Sequence, residues 1–63
     1  MNNEQLFISI LEKSRELINY YNELLSLHQN DCLTSMIKRA LDNEKENYYS
    51  IKEFYDMIKE RVV

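Results

Sequence analysis

Apolar residues recur along this chain at steps of three and four, in two long runs divided by a short polar stretch. The first run is Phe7, Ile10, Leu11, Leu17, Ile18, Tyr21, Leu24 and Leu25, with Ser14 and His28 in phase. The second is Leu33, Ile37, Ala40, Leu41, Tyr48, Ile51, Phe54, Tyr55, Ile58 and Val62, with Glu44 and Asn47 in phase. Steps of three and four bring side chains to one face of an α-helix. No Gly or Pro interrupts either run. The pattern predicts a single all-α domain: helix 1 over about 4–28, a turn at about 29–31, and helix 2 over about 32–61. A connection this short makes the helices antiparallel neighbours, a hairpin.

The ends carry their own signals. Asn2 or Asn3 can cap helix 1, with Glu4 and Gln5 in the first turn where the helix dipole favours negative or accepting groups. Asn tolerates the left-handed conformation that closes many helices, which suits Asn30, and Asp31 is a good cap for helix 2. Helix 2 has an alternative ending at Asp42-Asn43, where Asn43 and Glu46 form a plausible capping pair and would give a three-helix bundle. Ile37, Ile51 and Ile58 nonetheless share one heptad position with Glu44, so the stripe keeps its phase across the gap. That continuity favours an unbroken helix.

Written as heptads, the stripes are three positions wide. Phe7, Ser14, Tyr21 and His28 take one position, Ile10, Leu17 and Leu24 a second, and Leu11, Ile18 and Leu25 a third. Helix 2 adds Leu41, Tyr48, Tyr55 and Val62 as its flanking set. Two positions per heptad suffice for a two-stranded seam, whereas three make the wider face of a bundle. The expectation is a homodimer in which two hairpins pack about a two-fold axis into a four-helix bundle. Size points the same way. A chain of 63 residues builds a marginal core, and oligomerisation is one of the usual remedies.

Composition narrows the function classes. At 44% hydrophobic and 30% charged, the chain is too apolar for intrinsic disorder. A net charge of −3 argues against general nucleic-acid binding. The apolar runs are far shorter than a membrane span, and no secretory leader is visible, so no membrane association is expected. Cys32 is the single cysteine; it excludes an internal disulfide and fits a reducing, cytoplasmic setting.

Candidate chemistry lies where the stripes turn polar. In a hairpin turning near residue 30, residue i stands level with roughly residue 60 − i. Ser14 then faces the Glu44–Asn47 turn, and Tyr21 lies within reach of the same region. One reading is a polar layer that fixes register and assembly, as buried polar residues do in coiled coils. Another is a metal or small-ligand site, since bundles hold metals with inward carboxylates. A third puts Glu44 at an edge or at the helix break. The metal reading rests on Glu44 alone, because Glu44-Lys45-Glu46-Asn47 carries Asn where a di-iron bundle places His.

His28 and Cys32 are four apart, but they straddle the turn and have no second pair to complete a zinc set. Lys38, Lys45, Lys52 and Lys59 form a basic row at seven-residue intervals, beside an acidic row of Glu46, Glu53 and Glu60. The rows read as a solvated helix surface, or as a docking strip for an acidic partner. Tyr20 and Tyr49 fall outside the stripes and are candidate partner contacts. No phosphate loop, catalytic triad or zinc-knuckle spacing is present. The expectation is a small non-enzymatic interaction or regulatory module without a cofactor. The alternative is a metal- or small-ligand-binding bundle centred on Glu44.

Overall fold

The structure, a computed structural model, describes the backbone of residues 2–62 and the side chains of residues 2–60. Helix α1 spans Asn3–Leu27 and helix α2 spans Thr34–Val62, and no strand occurs among the described residues. The helices run antiparallel as a rod of 49 × 18 × 12 Å. Val62 closes the second stripe in sequence, but its side chain lies outside the described set.

Asn2 is the residue that caps α1. Its side chain accepts from the Gln5 amide at 2.8 Å, and the Gln5 side chain accepts from the Asn2 amide at 3.4 Å. This reciprocal pair satisfies two amides that have no partner within the helix. At the other end, His28 N–H donates to Leu25 O at 3.2 Å. Asn30 then takes φ 64°, the left-handed turn that Asn accommodates more readily than other non-glycine residues.

The connection is longer than the turn expected at 29–31. Asp31 does cap, but it does so outside the helix. Its carboxylate accepts from Leu33 N–H at 2.8 Å, and its carbonyl accepts from Thr34 N–H at 3.2 Å. The Thr34 hydroxyl accepts from Asp31 N–H at 3.1 Å and donates to the His28 carbonyl. These bonds hold residues 28–33 as a closed polar knot, so regular helix begins only at Thr34. Beyond it α2 runs without a break through Asp42 and Asn43. The phase of the stripe, rather than the local capping signal, decided that point.

The seam between the helices is narrow. Phe7, Leu11, Ser14, Ile18, Tyr21 and Leu25 of α1 meet Ile37, Leu41, Glu44, Tyr48, Ile51, Tyr55 and Ile58 of α2, all of them buried or half-buried. Only Ile37 and Leu41 are buried apolar side chains among the described residues, at 8% and 5% exposure. At the open end, the Phe7 ring stacks on Tyr55 at 5.9 Å and lies tilted 5.7 Å from Phe54. The Tyr55 hydroxyl donates to Glu4 at 3.1 Å, and Lys59 Nζ sits 5.3 Å above the Tyr55 ring. Ile10, Leu17 and Leu24, the second heptad position of α1, stay outside this seam, as do Leu33 and Phe54.

Candidate functional site

Of the expected polar layer, the structure brings Ser14 and Glu44 together. Ser14 is a buried residue on α1, and its hydroxyl donates to a Glu44 carboxylate oxygen at 2.6 Å. Glu4 with Tyr55 and Phe7 with Tyr55 show the same levelling of residue i with about residue 60 − i. Glu44 is half-buried, and Asn47 stands exposed one turn further on. Both line a groove of about 330 Å³ together with Ile10, Lys13, Leu17 and Ile51. Tyr21 is half-buried in the seam, and among the described residues Ser14 is the side-chain donor that Glu44 receives.

A hydroxyl–carboxylate bond of this length is charge-assisted and stronger than a neutral one. It ties two residues thirty apart, so sliding one helix past the other by a single turn would break it. The bond is made in this one register of the hairpin. No group of three or more His, Cys, Asp or Glu side chains converges among the described residues.

The knot at residues 28–33 holds the other titratable contact. His28 Nδ1 lies 3.0 Å from Asp31 Oδ2, the one ion pair among the described residues. The hydrogen bond from His28 is the main cause that holds the Asp31 carboxyl below its ordinary value of 3.8. Partial desolvation opposes that shift, and the Leu33 amide adds to it. Cys32 is exposed on the same connection, while the His28 ring is committed to Asp31. At the open end, desolvation, then the bond to Glu4, raises the Tyr55 hydroxyl above 10.0.

The two broad faces of the hairpin differ in character. On one, Ile10, Lys13 and Leu17 of α1 border the groove opposite Asn47 and Ile51 of α2. Helical steps of three, four and seven continue this strip through Leu6 and Leu24 on α1 and through Met36 and Phe54 on α2. These six large apolar side chains, counting Ile10 and Leu17, are all between 41% and 66% exposed. On the other face, Ile8, Leu11, Glu12 and Arg15 surround Tyr48, and Lys38, Lys45 and Lys52 are exposed. Tyr20 and Tyr49 are exposed, and Tyr49 packs edge-on to Tyr48 at 5.5 Å.

Leu6, Lys13 and Met36 belong to the open face and were not evident as such from the stripes alone. Their signal was available: Leu6 precedes Ile10 by four, Met36 precedes Ala40 by four, and Lys13 takes the step between Ile10 and Leu17. No protein-family model matches this chain, and no match to it was found among curated proteins or among solved structures.

Proposed function

We propose that this chain is a small non-enzymatic interaction module whose working form is a homodimer, with the open apolar faces of two hairpins packed into a four-helix bundle. The observation that carries this reading is the imbalance of burial. Two apolar side chains are buried among the described residues, while twelve large ones are exposed, six of them in helical phase on one face. An exposed strip of large apolar side chains is a mark of an interface.

Area supports a partner of this size. A compact chain of 7.7 kDa exposes about 4,300 Å². This hairpin exposes 5348 Å². The surplus, roughly 1,000 Å², is close to the ~800 Å² that each partner contributes to a standard interface. The Ser14–Glu44 layer serves such an assembly by holding α1 and α2 in one register, so that each hairpin presents a constant face.

Melting followed by circular dichroism at several protein concentrations tests the reading. Folding coupled to association makes the midpoint rise with concentration. A midpoint that stays constant over a hundredfold range of concentration contradicts it. The homodimeric form is expected in a reducing compartment such as the cytoplasm, where Cys32 remains a thiol.

A further inference from the structure

The two-fold axis of such a dimer has two possible directions, and Lys13 distinguishes them. Lys13 is exposed in the middle of the apolar strip, on the step between Ile10 and Leu17. It stands level with Asn47 and within a turn of Glu44, and all three line one groove. Among the described residues its ammonium has no carboxylate partner within the chain. A cation in the centre of an apolar interface is costly unless a carboxylate meets it there.

A two-fold axis perpendicular to the helices lays α1 on α1. Lys13 is close to the midpoint of α1, so this arrangement brings two ammonium groups together beside the axis. A two-fold axis parallel to the helices lays α1 on α2 of the second copy and preserves levels. Lys13 then lies over Asn47 and Glu44 of the second copy. Leu6 lies over its Phe54, and Leu24 over its Met36. Apolar matching is satisfied in both arrangements, but only the second puts a carboxylate opposite the cation.

We infer that the two hairpins pair with their connections at the same end, with Lys13 of each copy meeting Glu44 of the other. The inference rests on the homodimer proposed above and adds its symmetry and its central contact. Glu44 thus serves twice, holding register through Ser14 within the chain and receiving Lys13 across the interface.

Cys32 provides the test without any substitution, because it is the single cysteine and lies exposed in the connection. A nitroxide label on Cys32, read by double electron–electron resonance, gives the distance between the two connections. Pairing at the same end gives a separation of about two helix diameters, roughly 20–25 Å. Pairing at opposite ends gives a separation near the 49 Å length of the rod and overturns the inference while leaving the dimer intact. Absence of dipolar coupling together with monomer mass defeats the homodimer itself. In a second arm, Lys13→Glu weakens dimerisation at least tenfold, and Lys13→Glu combined with Glu44→Lys recovers part of it, since the Ser14 bond is lost in the swap. Unchanged affinity in Lys13→Glu overturns the cross-chain contact.

Discussion

The two broad faces of this hairpin are built on the same two helices, yet they ask different things of their surroundings. The face with Ile10, Leu17, Leu24, Met36 and Phe54 leaves large apolar side chains half in water. The face with Arg15, Lys38, Lys45 and Lys52 presents charges that water solvates at no cost. The difference arises from one residue of helical phase. The seam takes the Phe7 and Leu11 positions of each heptad, which leaves the Ile10 position on one side and the Ile8 and Arg15 positions on the other. A two-helix unit has no way to enclose a stripe three positions wide, and most of the excess falls on the same side.

Substitutions on the two faces should therefore behave unequally. Leu17→Glu places a carboxylate in the centre of the apolar face, where an unpaired buried charge costs several kcal/mol. It is expected to abolish association and most of the helical signal, read by sedimentation and circular dichroism. Arg15→Glu, two positions away on the opposite face, is expected to shift stability by less than ~0.5 kcal/mol. Equal effects at the two sites would erase the distinction between the faces.

The seam sets the next largest effect. Leu41 is one of the two buried apolar side chains, so Leu41→Ala should cost about 3 kcal/mol in chemical denaturation. Ser14→Ala removes the donor from a half-buried carboxylate and should cost about 1–2 kcal/mol. Ser14→Ala combined with Glu44→Leu removes both polar partners within the chain, a replacement that is by itself close to neutral. The double variant should nonetheless fail to recover that loss in the dimer, because Lys13 of the second copy is left without its carboxylate; full recovery would contradict that contact.

The smallest effect belongs to the connection, which lies on neither face. The Asp31 carboxyl is held below 3.8, so its ionised form is favoured in the folded chain. Its contribution is present above about pH 3.8 and is lost as pH falls through the lowered value. Asp31→Asn should flatten the acid limb of a stability–pH curve and leave the neutral region little changed.

Much of this architecture was legible in the residues. The helical steps gave both helices, and the conserved phase around Glu44 carried α2 through Asp42-Asn43 against a local capping signal. Levelling about the turn puts Ser14 opposite Glu44, and Asn30 suits its left-handed turn. The start of α2 was less legible. Asp31 has alternatives for its carboxylate, and the choice of the Leu33 amide depends on Thr34 folding back on His28. The division of the stripe was less legible still. Heptad positions say which residues are apolar, but the rotation of each helix in the seam decides that Tyr21 and Tyr48 turn inward while Leu17 and Phe54 turn out. The aromatic cluster of Phe7, Phe54 and Tyr55 follows from that rotation.

Sedimentation equilibrium of the native chain at micromolar concentration tests the central claim most directly. The account predicts a mass twice the 7.7 kDa of the chain, falling toward the monomer value on dilution. A fully helical species that keeps the monomer mass at every concentration would contradict it, because the open apolar face would then be stable in water without a second copy.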